Sequence, residues 1–197
     1  MGAMAISHRR LGVYAGLVSP IVFAVLYTIA ALNDPEYEYF RNYLSDLGVG
    51  NMAAFFNAAV LIAGGLTIPF ALLAIRPALA GGIAALAAVV LTVVGGMFLM
   101  LVGVFTEDAA DLHTIVSYGF FMTMLMALFC YSWTLHFSNA LGRPMTHITQ
   151  AVFALGVVLV VLGFGPGTET VAVLSILVWG EAMAIVLFRR GTDADTY

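Results

Sequence analysis

Six apolar stretches, each long enough to cross a bilayer as a helix, take up most of this chain and leave little room for any other architecture. A hydrocarbon core of roughly 30 Å is crossed by about 20 apolar residues in helical conformation. The stretches run over about 11–32, 52–75, 79–105, 113–137, 148–164 and 170–188. The charge content agrees: of 197 residues 62% are hydrophobic and 9% are charged, too few to coat a soluble domain of this size. No polar segment between the stretches is long enough to fold separately. The expected fold is all-α, a single membrane domain over 1–197 built as an integral bundle of six transmembrane helices.

Six spans place both termini on one side, and the basic residues choose which side. Arg9, Arg10, Arg76, Arg143, Arg189 and Arg190 fall on the face shared by the termini, and Arg41 falls opposite. By the positive-inside rule the termini are expected in the cytoplasm of a cell (plasma) membrane protein. Asp34, Glu36, Glu38, Asp46, Glu107, Asp108, Asp111 and Glu169 collect on the outer face. With a net charge of -4 and no basic cluster, nucleic acid is not an expected partner. Membrane lipids are, and a protein partner or homo-oligomer stays open. Cys130 stands alone, which excludes an internal disulfide and argues against a CxxC or thiolate zinc centre.

The second and third stretches carry small residues at every fourth position: Ala59, Ala63, Thr67 and Ala71, then Ala80, Ala84, Ala88, Thr92 and Gly96. Such rows let helix backbones approach closely, and they predict a tight hairpin around Arg76-Pro77. In the first outer loop, Asp34 can cap a short helix opening at Pro35 and ending at Gly48. Tyr37, Phe40, Leu44 and Leu47 would form its apolar stripe, and Tyr39, Asn42, Tyr43 and Asp46 its polar side. This amphipathic helix would lie on the membrane surface or fold over the mouth of the bundle.

Ionisable residues in or beside the spans are the candidates for chemistry. Glu107, Asp108, Asp111 and His113 cluster between the third and fourth stretches, with Ser45-Asp46 and Glu169 supplied by the other outer loops. Asp46, Asp111 and His113 are the catalytic candidates, and Asp46, Glu107, Asp111 and His113 could hold a divalent cation. Ser45, Asp46, Glu107, Asp108, His113 and Glu181 are the binding candidates. The structural alternative is a solvated acidic rim with Asp111 as the helix N-cap. Asp46 and His113 would meet if the loop helix covers the mouth, with Ser117 one turn below His113. Glu181 stands inside the sixth stretch, where a charge is costly, and it could pair with Gln150, Tyr131 or Ser132 or relay protons. His136 lies about 34 Å along its helix from His113, too far for a shared zinc site. Asn57 is expected to bond between helices. HExxH, GxSxG and nucleotide-loop signatures are absent from the sequence.

Asn42-Tyr43-Leu44-Ser45-Asp46-Leu47-Gly48, Gly103-Val104-Phe105-Thr106-Glu107-Asp108 and His113 together resemble the domain-of-unknown-function 998 family of small prokaryotic membrane proteins. That family is in turn distantly similar to the Frag1/DRAM/Sfk1 group, associated with lipid-related membrane functions. The resemblance implies that Ser45-Asp46-Leu47-Gly48 and Glu107/His113 form a shared feature on the outer face. Three functions follow as expectations: binding of a lipid or partner through the acidic mouth, an interfacial enzyme with a carboxylate/His site acting on a lipid-type substrate, and a proton-coupled carrier using Glu181.

Overall fold

A computed structural model describes residues 7–79 and 81–194. Six helices in it are long and apolar enough to cross a membrane: α1 His8–Asn33, α2 Ala53–Ala78, α3 Ile83–Val104, α4 Asp111–Ser138, α5 Arg143–Leu162 and α6, whose apolar span Pro166–Gly191 continues to Ala194. Among the described residues there is no strand. A span in lipid must satisfy its own backbone polar groups, and the helix does so. Each helix packs on the next and α6 packs back on α1, closing a ring in chain order. The α1–α2, α3–α4 and α5–α6 connections lie on one face, here the distal face. The termini and the other two connections lie on the terminal face.

Local sequence sets the helix ends. Pro144 in the first turn of α5 and Pro166 at the start of α6 need no helical N–H partner there, so α5 starts at Arg143 rather than near Ile148. Asn139, in the left-handed conformation, ends α4. The hairpin between α2 and α3 turns after Ala78, not at Arg76-Pro77. Pro77 instead occupies the last turn of α2, after a π-helical stretch over Phe70–Ile75. Proline removes one N–H and crowds the carbonyl one turn earlier, which the wider π turn accommodates.

Small residues then bring three helices together. Gly64 and Gly96 face each other so closely that a Cβ on Gly64 would lie 2.5 Å from the Gly96 carbonyl oxygen. Ala59, Ala63 and Ala71 of α2 and Ala88 and Thr92 of α3 are buried in the same region; Ala80 lies outside the described residues. The Phe70 ring sits on Gly16 of α1, where a Cβ would meet it at 2.4 Å. Polar bonds cross the seams: Ser19 Oγ donates to the Ala63 carbonyl at 3.2 Å, and the Thr92 and Tyr131 hydroxyls lie 2.9 Å apart. Trp179 Nε1 donates to Thr149 Oγ1 at 3.1 Å. Bonds of this kind contribute on the order of 1 kcal/mol each in a membrane.

The first distal loop is helical at its end alone, as a 3-10 turn over Leu44–Gly48. The expected helix from Pro35 does not form: the Asn42 side chain takes the Glu38 N–H that the first helical bond would use, and Phe40 adopts a positive φ. Asp34 Oδ1 accepts from Glu36 N at 3.1 Å and Oδ2 from Asn51 N at 3.2 Å. Asn42 Oδ1 accepts from Glu38 N at 2.9 Å, and Phe40 has a φ of 63° with its ring exposed. Leu44 and Leu47 are 2% and 0% exposed, so the turn plugs the bundle rather than lying on a membrane surface. Asn57 Nδ2 holds it by donating to the Gly48 carbonyl at 3.0 Å, a helix-to-loop bond where a helix-to-helix one was expected.

Candidate functional site

Three distal segments meet through two short hydrogen bonds. Ser45 Oγ, in the 3-10 turn, donates to Glu107 Oε1 at 2.7 Å. The neighbouring Leu44 N–H donates to Glu169 Oε2, in the first turn of α6, at 2.6 Å. Across from them, His113 Nδ1 lies 2.8 Å from the Phe105 carbonyl oxygen, and Nε2 lies 3.3 Å from Ser117 Oγ. A carbonyl accepts and never donates, so Nδ1 carries the proton. Nε2 of the neutral ring is then an acceptor, and the Ser117 hydroxyl donates to it.

These side chains wall a distal pocket of about 270 Å³, with Tyr43, Ser45, Glu107, His113, Ser117 and Glu169 as its polar lining. Tyr118 and Phe164 close one side with ring centroids 4.5 Å apart. Beneath it lies a second cavity of about 100 Å³, mostly apolar, bounded by Phe23, Phe56, Val60, Phe120, Met124 and Val173. Ser45, Ser117, Phe121 and Glu169 border both spaces. The two spaces thus adjoin, with two hydroxyls, a carboxyl and an aromatic ring as their common wall.

Burial pushes the Glu107 carboxyl above its usual range, and the hydrogen-bonding and charge of Asp46 add to that, while the Ser45 hydroxyl and the His113 ring draw it partly back. The folded protein therefore holds the Glu107 proton more tightly than the unfolded chain. Its contribution is complete below the ordinary Glu value of 4.5 and is lost as pH rises through the elevated one. The thermal midpoint is expected to fall as pH climbs through that window, and Glu107→Gln to flatten the slope. Equal slopes in wild type and variant would mean that Glu107 ionises freely.

The remaining candidates do not join the His113–Ser117 pair. Asp46 lies beside Glu107, but its Oδ2 accepts from Tyr43 N at 2.9 Å and it makes no bond to His113. Asp108 and Asp111 are exposed, and Ala110, not Asp111, occupies the N-cap of α4 without a side-chain bond. Among the described residues no three His, Cys, Asp or Glu side chains are grouped to hold a metal ion, so Asp46, Glu107, Asp111 and His113 are not gathered around one point. Glu181 sits about 18 Å along α6 from Glu169. Its Oε2 is buried without a hydrogen-bond partner, as is Ser132 Oγ. Tyr131 is engaged with Thr92, and the Gln150 amide lies 3.5 Å from His136, so the pairings expected for Glu181 do not form.

Two residues of the pocket wall gain weight from the structure. Glu169 was one acid among many in the outer rim, and its placement under the Leu44 amide depends on a contact between distant parts of the chain. Ser117 had a local signal, since a serine four residues after a histidine on a helix shares its face.

Neither a curated protein nor a solved structure matches the chain. A likeness to the Frag1/DRAM/Sfk1 group is not among the matches. Family membership is shown by one match, which spans residues 17–188 and so includes all three distal connections and every residue that lines the distal pocket. The chain belongs to the family described as protein of unknown function (DUF998).

Proposed function

We propose that this membrane protein binds a single-chain amphiphile, with the head-proximal carbons of its tail in the apolar cavity and an uncharged polar head in the distal pocket. The observation that carries the reading is that the two spaces adjoin, with Ser45, Ser117 and Glu169 bordering both. An apolar cavity gains from an apolar occupant, at about 25 cal/mol per Å² of surface removed from water. The head is assigned by charge. The distal pocket presents hydroxyls, an imidazole and two carboxyls, with no arginine on its wall, so an anionic phosphate would find no guanidinium to pair with. A glycerol-like head would find hydroxyl, imidazole and carboxyl partners there. The arginines at the terminal-face helix ends support placing the distal face away from the cytoplasm, where the pocket would meet the outer leaflet of the plasma membrane.

Native mass spectrometry of the detergent-purified protein tests this with a sixteen-carbon monoacylglycerol beside the corresponding lysophosphatidic acid. The neutral lipid should be retained and the anionic one should not. Val173→Phe, which narrows the cavity without touching the distal side chains, should weaken retention about tenfold or more, a loss of about 1.4 kcal/mol. Equal retention of both lipids by both proteins would overturn the reading.

A further inference from the structure

Several hydroxyls on these helices bond back to their own backbone, and Ser117 does not. A serine or threonine within a helix commonly donates to the carbonyl four residues back. Thr67, Thr92, Thr123 and Thr134 all do so here, at 2.7–2.8 Å. The Ser117 hydroxyl is instead paired with His113 Nε2 at 3.3 Å, and the other ring nitrogen is fixed by the Phe105 carbonyl at 2.8 Å. A hydroxyl, a neutral imidazole with its free lone pair toward that hydroxyl, and a third group fixing the tautomer are the parts of an activated serine nucleophile. The position matters as much as the pair. Ser117 stands where the polar pocket meets the apolar cavity, the depth at which a lipid bound head-outward would present its ester carbonyl.

We propose that Ser117 and His113 form a nucleophile–base pair that cleaves the carboxylic ester of an uncharged single-chain lipid. The proposal rests on the amphiphile-binding reading above and adds a reaction to it. Ser117 Oγ attacks the ester carbonyl carbon, the carbonyl electron pair moves onto oxygen, and the hydroxyl proton passes to His113 Nε2. As the tetrahedral centre collapses, the bond to the alcohol oxygen breaks and that oxygen takes the proton from Nε2. The acyl group is then on Ser117. A water molecule attacks it while Nε2 accepts the water's proton, the Oγ–acyl bond breaks, and Oγ regains its hydrogen. The products are a glycerol-like alcohol and a fatty acid. Glu107 lies on the same pocket wall as the pair.

The test is covalent and needs no turnover. Purified wild-type protein is treated with a long-chain alkyl fluorophosphonate, whose phosphorus is attacked by an activated serine with loss of fluoride, and the site is mapped by peptide mass spectrometry. Ser117 should carry the alkylphosphonate, Ser117→Ala should carry none, and His113→Gln should react roughly 100-fold more slowly. Hydrolysis of the sixteen-carbon monoacylglycerol to glycerol and fatty acid should follow the same order. Because the mapped site in wild type decides the matter, a variant that fails to fold does not obscure it. Retention of monoacylglycerol without labelling of Ser117, or labelling elsewhere alone, overturns the catalytic proposal and leaves the binding reading standing. Loss of both overturns both.

Discussion

Gly64→Ala is expected to lower the thermal midpoint of the detergent-solubilised protein by roughly 5 °C, while Gly65→Ala, one residue on, leaves it unchanged or raises it. Both changes add the same methyl group to the same helix. Helix propensity favours alanine over glycine by about 1 kcal/mol at either position. Their surroundings differ. A Cβ on Gly64 lies 2.5 Å from the Gly96 carbonyl oxygen and 2.9 Å from the Met100 nitrogen, both backbone atoms that cannot rotate aside. The Gly65 Cβ meets nothing within 4 Å. Accommodating the first methyl means separating α2 from α3 along a seam that also holds Ala59, Ala63, Ala88 and Thr92, and overpacking of this kind costs about 1–3 kcal/mol or more. For a chain of this size each kcal/mol moves the midpoint by about 2–4 °C. Unfolding in a fixed detergent, followed by circular dichroism, gives the comparison. Equal effects of the two variants would mean that α2 and α3 do not approach at Gly64.

That seam was legible in the sequence because membrane spans must be long and apolar, and close helix approach needs small residues at regular spacing. Ala63, Ala88, Thr92 and Gly96 could be read directly. Gly64 could not, because it lies beside the four-residue row and becomes the closest contact through the crossing of α2 and α3. The Phe70–Ile75 π stretch was equally hidden. Pro69 and Pro77 announced a perturbation, but its form depends on the Phe70 ring meeting Gly16 of another helix.

In the distal loops, local patterns gave way to long-range bonds. The apolar spacing of Leu44 and Leu47 did foretell an inward face, and both are buried. The helix drawn through Asp34, Phe40 and Asn42 failed because polar side chains in that stretch bond the loop's own backbone. Among the acids, composition could not separate Glu107 and Glu169, which wall the pocket, from Asp108 and Asp111, which face outward. All of them sit near helix ends, and a difference of one residue at a helix start turns a side chain by about 100°. His113 and Ser117 share a helix face by spacing alone, but the tautomer that makes Nε2 an acceptor comes from the Phe105 carbonyl across the turn.

Glu169→Ala should release the plug over the bundle, and Glu169→Gln should not. The Glu169 carboxyl accepts the Leu44 N–H at 2.6 Å, and Leu44 is 2% exposed, so that amide has no ready replacement partner in water. Losing a buried acceptor of this kind costs about 1–3 kcal/mol, because the donor is left unsatisfied. Taking about 2 kcal/mol, hydrogen exchange at the Leu44 amide should accelerate roughly thirtyfold, since each 1.36 kcal/mol is tenfold. Glutamine keeps a carbonyl oxygen at the same reach, so exchange in Glu169→Gln should stay within about threefold of wild type. If the two variants accelerate exchange equally, the charge rather than the acceptor holds the loop. The distinction bears on the site itself. Leu44 lines the apolar cavity and Ser45, the next residue, borders both chambers, so the bond that fixes Leu44 also positions the wall between them. A released plug would expose the cavity to water, weakening retention of an apolar tail even though no side chain in the cavity wall below has changed.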